Sequence, residues 1–266
     1  MSKKRVNQTF EYSDEINDDF SQNGIKAKII EDSYRFYNPN PIVRFFNMLF
    51  RQCIIIPLLW CTSKIMFHTK VVNKRAFKKV RGKGYFLYSN HTCNFDPIHH
   101  ACLMDHFRFT ALMAGPESFS IYGIRWLIRA LGAFPTPSSL ELHRKFRDCI
   151  QWHIKKRHKV VIYPEAHIWP YYTDIRPFRS KSFRYPVELD TPIMVATTTF
   201  RKRKHSKTPK VVIYIDGPFY PNHDLNNKLA TKELRDIAYN TMLSRAQKEN
   251  KYAKIKYIRK NKEDGK

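Results

Sequence analysis

The stretch YFLYSNHTCNFDPIHHACLMD, residues 85–105, contains the change of pattern that determines the fold. Tyr85 to Ser89 is a short aromatic run introduced by Gly82 and Gly84, and such a run is typical of a β-strand. From Pro97 to Asp105 the spacing of apolar residues predicts a helix. A polar segment thus connects the end of a strand to the start of a helix, the position where open α/β sheets place their ligands.

Strands and helices continue to alternate after this segment. Further strands are predicted at 107–113, 160–163, 193–199 and 211–216, and further helices at 121–131, about 139–157 and about 230–246. In the helix that starts after Ser139, the apolar residues Leu142, Phe146, Ile150 and Ile154 lie four positions apart. This alternation predicts an α/β domain with a mixed, mainly parallel sheet flanked by helices.

The composition restricts the class of protein and of partner. Of the 266 residues, 42% are hydrophobic, 8 are Gly and 15 are Pro, which excludes collagen-like and broadly disordered chains. The 48 Lys and Arg residues against 23 Asp and Glu give a formal net charge of +25. A surplus of this size points to an anionic partner: nucleic acid, an anionic membrane surface or acidic metabolites.

The composition also divides the chain into four regions. We expect a flexible polar arm over residues 1–40, a membrane-associating helical hairpin over 41–69, an α/β domain over 70–250 and a basic tail over 251–266.

The expected hairpin is strongly apolar but is interrupted by Arg44, Arg51, Pro57 and Lys64. Its uninterrupted apolar run is shorter than the roughly 20 residues that cross a bilayer. Two short helices hinged at Pro57 and lying in the lipid headgroup region are therefore expected, with a buried core hairpin as the alternative. The basic residues that follow would contact anionic lipid.

Two side chains in the first segment can support acid–base chemistry. His91 titrates nearest to neutral pH, and Asp96, five residues on across a turn, can hydrogen-bond one ring nitrogen. A core histidine that caps a helix is the alternative. His99, His100 and His106 raise the possibility of a metal site, but adjacent histidines on a helix diverge by about 100°. The sequence also lacks an H-E-x-x-H pattern, and we expect no metal.

A second carboxylate follows the apolar run Val160 to Ile162. Glu165 comes just after this predicted strand, so it lies at the same sheet edge as His91 if the two strands are parallel. The alternative is that Glu165 caps the loop that follows.

The order of these motifs resembles the 1-acylglycerol-3-phosphate acyltransferase family of glycerolipid acyltransferases. Asn90-His91-x4-Asp96 matches its N-H-x4-D motif, and Tyr163-Pro164-Glu165 is similar to the start of its F-P-E-G-T-R-S motif. Residues 131–135 (LGAFP) look like the second block of the family, and residues 191–195 (TPIMV) like the fourth.

The resemblance implies an enzyme of phospholipid biosynthesis whose acyltransferase domain covers residues 70–250. In that family His91 would take the proton from an acceptor hydroxyl, and Asp96 would orient the imidazole. The oxygen would attack the thioester of acyl-CoA or acyl-carrier protein, and lysophosphatidic acid or a related lysolipid would accept the acyl group. No metal or bound cofactor is implied. An anionic membrane surface is the expected partner, with peripheral or monotopic attachment at its cytoplasmic face.

The chain departs from the family pattern after the glutamate, where Ala166, His167 and Ile168 replace Gly-Thr-Arg. The residues that we expect to bind substrate are Asn90, Glu165, His167, Arg176, Arg179 and Lys181. Two other classes remain as alternatives: a basic nucleic-acid-binding protein that stacks bases on Tyr and Phe, and a non-catalytic membrane-docking protein. The sequence shows no nucleic-acid-binding motif, so no nucleic acid is expected.

Overall fold

The structure, a computed structural model, describes residues 8–20, 29–37, 40–105, 108–120, 123 and 125–260. Its strands are β1 (Gln8–Tyr12), β2 (Lys70–Val72), β3 (Tyr85–Ser89), β4 (Thr110–Ala114), β5 (Ala133–Pro135), β6 (Lys159–Ile162), β7 (Ile193–Arg201), β8 (Lys210–Phe219) and β9 (Ile255–Arg259). Its α-helices are α1 (Pro41–Phe50), α2 (Ile56–Phe67), α3 (Asp96–Cys102), α4 (Arg125–Ala130), α5 (Leu140–Lys155), α6 (Arg184–Glu188) and α7 (Asn227–Glu249).

Seven strands form the central sheet in the order β2-β8-β7-β3-β6-β4-β5. All neighbouring pairs are parallel except β7 and β8, which are antiparallel. The predicted mixed, mainly parallel α/β sheet is therefore confirmed. All five residues of β3 are buried, as expected for a central parallel strand covered on both faces.

Helices cover both faces of the sheet. On one face, Phe146 and Ile150 of α5 and Leu234 and Met242 of α7 pack against alternate residues of the strands. Helix α5 begins where predicted, because the Ser139 hydroxyl accepts a hydrogen bond from the N–H of Leu142 at 3.2 Å. On the other face, α2, α3 and α4 enclose a second core that includes Leu59 and Leu103.

The apolar segment before the domain is a single helical stretch and not a hairpin. Helix α1, a π-helical turn at Arg51–Ile55 and α2 follow one another without a break. The predicted hinge at Pro57 is wrong, because this proline lies in the first turn of α2 directly after the wider π-helical turn. A proline is tolerated at such a position.

The two ends of the chain pair with each other. Strand β1 lies parallel to β9, with Gln8 opposite Ile255 and Tyr12 opposite Arg259. Within the expected flexible arm and basic tail, residues 8–12 and 255–259 therefore form strands. Neither segment predicts this on its own, because each finds its partner at the opposite end of the sequence. Residues 1–7, 21–28, 38–39 and 261–266 of these regions lie outside the described residues.

Candidate active site

The two acid–base candidates meet at the carboxyl edge of the central sheet. His91 stands two residues after β3, and Asp96 is the first residue of α3. The Nδ1 atom of His91 lies 3.1 Å from Oδ2 of Asp96. The side chain of Asp96 is fully buried, whereas that of His91 is 12% exposed. The carboxylate therefore anchors an imidazole that still reaches the surface.

The Asp96 carboxylate is held by the turn that precedes it. Its Oδ2 atom accepts the main-chain N–H groups of Thr92 at 2.6 Å and Cys93 at 2.8 Å, and its Oδ1 accepts the Thr92 hydroxyl at 3.3 Å. Burial by itself would raise the pKa of Asp96, but the hydrogen bond and charge of His91 outweigh it, and the pKa is lowered. An ionised carboxylate can only accept hydrogen bonds. In the contact with Asp96, Nδ1 of His91 therefore carries the proton, and Nε2 is left as the base.

Tyr163 covers one face of the His91 ring. The two rings are stacked with their centroids 4.1 Å apart and their planes inclined by 17°. The Tyr163 hydroxyl lies 2.5 Å from Nδ1 of His100. Burial lowers the pKa of His100 to about 3, so this second histidine is neutral and fixes Tyr163. Tyr163 thus restricts the orientation of the base.

Glu165 touches the same histidine through the main chain, as the parallel pairing of β3 and β6 predicts. Its Oε2 atom accepts the N–H of His91 at 3.0 Å, and its Oε1 accepts the N–H of Arg176 at 3.0 Å. The side chain is buried, and burial raises the pKa of Glu165 although Arg176 opposes the shift. Both carboxylate oxygens bind the protein itself, so Glu165 fixes the loop that carries the base.

A histidine held by a buried aspartate in N-H-x4-D, beside a glutamate from the next strand, is the arrangement expected for an acyltransferase. The family model described as Acyltransferase matches residues 68–198, the segment that contains all of these groups. Residues 68–198 of this chain belong to the acyltransferase family. The family expected from the motifs is thereby confirmed.

Comparison with curated protein sequences gives no match for this acyltransferase. Among solved structures, its fold is similar to the crystal structure of PlsC from Thermotoga maritima, a 1-acyl-sn-glycerophosphate (LPA) acyltransferase. The two chains are 16% identical, with a TM-score of 0.54 over 76% of this chain and 86% of that one. At this identity the likeness establishes the fold.

Arg176, which we expected to bind substrate, is engaged by the protein itself in this structure. Its side chain is 1% exposed. The guanidinium donates to the main-chain carbonyls of Glu15 and Glu165 at 3.2 Å and also to that of His167. It lies 5.0 Å from the ring centroid of Trp169. Arg176 therefore connects the N-terminal segment to the loop after β6.

Asn90 is also a positioning residue. Its Oδ1 atom accepts the N–H of Thr198 at 2.8 Å, and its Nδ2 donates to the carbonyl of Thr198 at 3.0 Å. This side chain extends the pairing of β3 with β7 beyond Ser89 and fixes the start of the catalytic turn. The amide, which we expected to contact substrate, is buried and is engaged by the strand.

The remaining predicted binding residues are not brought together around His91. His167 lies 3.7 Å from the carboxylate of Asp19 and is partly exposed. Arg179 and Lys181 are exposed, and Lys181 lines a cavity of about 660 Å³ between α5 and α6. No residue of the dyad lines that cavity. The sequence shows that Arg179 and Lys181 are basic. It does not show the course of the loop after Arg176, which separates them from His91.

The possible metal ligands also have other functions. Side-chain atoms of Cys93, Asp96 and His99 lie within 4.8 Å of one another. However, Asp96 accepts hydrogen bonds from the dyad histidine and the turn, and the Cys93 thiol donates to its Oδ1 at 3.3 Å. Burial, with Asp96 adding to it, raises the pKa of Cys93 well above its usual range. His106 lies outside the described residues.

Proposed function

We propose that this acyltransferase moves a fatty acyl group from an acyl thioester to a hydroxyl group of lysophosphatidic acid or a related lysolipid. Acyl-CoA or acyl-carrier protein is the donor. The observation that carries the proposal is the His91–Asp96 pair, in which a buried carboxylate holds one ring nitrogen and leaves the other towards the surface.

The chemistry follows from that orientation. Nε2 of His91 takes the proton of the acceptor hydroxyl while the hydroxyl oxygen bonds to the thioester carbonyl carbon. The tetrahedral adduct then collapses, the carbon–sulfur bond breaks, and the imidazolium returns the proton to the departing thiolate. A positioned base of this kind contributes about 10²- to 10⁴-fold in rate. The step requires neither a metal nor a bound cofactor.

Cys93 is a second candidate nucleophile in the catalytic turn, and its environment argues against a covalent intermediate. Its thiol donates a hydrogen bond to Asp96, and burial keeps it protonated. A buried thiol beside a carboxylate is a poor nucleophile. Direct attack by the acceptor hydroxyl is therefore the mechanism that these contacts favour.

We also propose that the helical stretch 41–67 attaches the enzyme to an anionic membrane surface. It is 27 residues long and apolar enough to cross a bilayer, and little of it is buried. Phe46, Leu58 and Ile65 are 61%, 65% and 71% exposed. Apolar area of this extent on a soluble domain is typical of a lipid-binding surface.

The contacts of this stretch favour a position along the membrane surface. The Arg51 side chain is buried, with its guanidinium 4.7 Å from the ring centroid of Phe109. Ile55, Leu59 and Phe67 are buried against the domain. Because one side packs on the domain from Arg51 to Phe67, lipid cannot surround this part of the helix. Monotopic attachment at the cytoplasmic face, with the other side in the lipid, fits both observations.

Transfer is tested by pairing acyl donors with acceptors. Purified full chain should transfer acyl groups from acyl-CoA or acyl-carrier protein to lysophosphatidic acid or another lysolipid, with release of free thiol. A panel in which no lysolipid is acylated by either donor would contradict the proposed function.

Membrane attachment is tested by cosedimentation with vesicles of phosphatidylcholine and phosphatidylglycerol. Replacing both Phe45 and Phe46 by Ser should release the protein from the vesicles, because both rings are exposed on α1. Leu140→Ser is the matched control, since Leu140 is 89% exposed on α5. If both variants lose vesicle binding to the same extent, attachment through this helix is contradicted.

A further inference from the structure

The C-terminal segment brings a lysine to the edge of the sheet where His91 stands. Strand β9 begins at Ile255, so Lys254 is the last residue before it. The start of the segment is fixed beside β7: the N–H of Lys251 donates to the carbonyl of Phe200 at 3.1 Å. Phe200 lies two residues beyond Thr198, which Asn90 binds directly before His91. The segment therefore passes the carboxyl edge close to the catalytic turn.

Asn250 strengthens this attachment. Its Oδ1 atom accepts the N–H of Phe200 at 2.8 Å, and its Nδ2 donates to the carbonyl of Thr173 at 2.6 Å. One side chain thus joins β7 to the loop after Glu165. The chain that leads to Lys254 is therefore held by both β7 and the loop after Glu165.

Tyr171 connects Lys254 to the dyad. Its N–H donates to the carbonyl of Thr92, the neighbour of His91, at 2.9 Å. The Nζ atom of Lys254 lies 4.0 Å from the centroid of the Tyr171 ring. Burial, with Cys93 and Asp96 adding to it, raises the pKa of Tyr171 to about 12, so its hydroxyl remains protonated. Tyr171 also has a φ of +56°, an unusual backbone conformation of the kind that is concentrated at functional sites.

Lys254 differs from Arg176, the buried cation beside Glu165, because its charge is not balanced. The Arg176 guanidinium lies 3.8 Å from the Glu165 carboxylate. Within the described part of the chain, Lys254 forms no ion pair with a carboxylate. Its ammonium is half-buried on an aromatic ring, and burial lowers its pKa. A partly desolvated cation without a counter-ion is favourably placed to receive an anion.

We propose that Lys254 binds a phosphate group of a substrate while the reacting groups meet at His91. The ligand is a phosphate ester, carried either by the lysolipid acceptor or by the CoA donor. The inference rests on the proposed function, because it deepens the description of the same site. It also gives the basic C-terminal segment a place in that site, where the chain has Ile168 in place of an arginine.

Equilibrium binding tests this without turnover, because each substrate is titrated into the full chain in the absence of the other. Lys254→Gln should weaken binding of a phosphate-bearing ligand by about tenfold, the loss expected for one charge-assisted hydrogen bond. Lysophosphatidic acid is compared with monoacylglycerol, and CoA with pantetheine. If Lys254→Gln binds lysophosphatidic acid more weakly but binds monoacylglycerol unchanged, the phosphate belongs to the acceptor. If it binds CoA more weakly but binds pantetheine unchanged, the phosphate belongs to the donor.

Lys256→Gln is the matched control, because Lys256 is exposed on β9. Lys254→Arg should retain the binding that Lys254→Gln loses. Inorganic phosphate should compete with the phosphate-bearing ligand in the wild-type chain, a measurement that requires no variant. The inference is overturned if phosphate does not compete, or if Lys254→Gln weakens all four ligands equally or none. Phosphate-dependent binding without acyl transfer would contradict the proposed function alone.

Discussion

The imidazole of His91 is restrained in three ways that do not depend on one another. Asp96 holds Nδ1, Glu165 holds the main-chain N–H, and the Tyr163 ring lies against one face. Each restraint comes from a different type of interaction, so each can be removed separately. The ring gains a positive charge when it takes the acceptor's proton, and the electron-rich face of Tyr163 stabilises that state.

Tyr163→Leu should therefore slow transfer by about 3- to 30-fold, since an aromatic face stabilises a cation by roughly 0.5–2 kcal/mol. Tyr163→Phe keeps the stacked ring and should retain most of the transfer rate, although it loses the contact with His100. Transfer by Tyr163→Leu at the rate of Tyr163→Phe would show that the ring only fills space.

Glu165→Gln should lower kcat by about tenfold to a hundredfold. The amide has one acceptor oxygen in place of two, so the N–H of either His91 or Arg176 loses its buried partner, at about 1–3 kcal/mol. Glu188→Gln is the control, because Glu188 lies on α6 in an exposed pair with Arg147. Comparable kcat values for Glu165→Gln and the wild type would contradict the positioning role.

At the scale of elements, strands that are buried on both faces could be predicted from the sequence. The runs that became β3, β6, β7 and β8 are rich in apolar residues and are largely buried. The predicted helix at 121–131 is described from Arg125 to Ala130, and residues 121, 122 and 124 lie outside the described residues.

The elements that the sequence did not predict depend on distant partners. The pairing of β1 with β9 joins the two ends of the chain, and the continuity of the helix through Pro57 depends on a π-helical turn. The same limit applies within the site. His91, Asp96 and Glu165 could be found from motifs, but the contacts of Arg176 with Glu15 and of Lys254 with Tyr171 could not.

The pairing of the two ends should contribute to stability through its aromatic contacts. The Tyr257 ring is stacked on Trp169 with centroids 4.9 Å apart, and its hydroxyl donates to the carbonyl of Pro170 at 2.9 Å. We expect Tyr257→Ala to lower the free energy of unfolding by about 2–4 kcal/mol. Ile258→Ala, at the more exposed neighbouring position, should change it by less than about 1 kcal/mol. Urea denaturation distinguishes these values, and equal effects would contradict the prediction.

At the scale of the whole molecule, buried neutral histidines make stability depend on pH. Burial lowers the pKa of both His100 and His153 to about 3. The unfolded chain binds protons at these residues below about pH 6.5, whereas the folded chain does not. Each residue should therefore lower the free energy of unfolding by up to about 1.4 kcal/mol per pH unit as the pH falls from 6.5 towards 3.

Urea denaturation at pH 7, 6 and 5 measures this slope. His153→Phe should reduce it, because His153 already lies among aromatic rings, stacked on Phe109 and Phe134, and phenylalanine does not titrate. A slope that is the same in wild type and His153→Phe would show that other groups control acid unfolding.

The most direct test of the account is acyl transfer by His91→Ala. His223→Ala serves as the control, because the side chain of His223 is 74% exposed. The account predicts that His91→Ala loses transfer by at least about 10²-fold, the lower range for a positioned base, and still binds anionic vesicles and unfolds like the wild type. Transfer by His91→Ala at the rate of His223→Ala would contradict the general-base role on which the account depends.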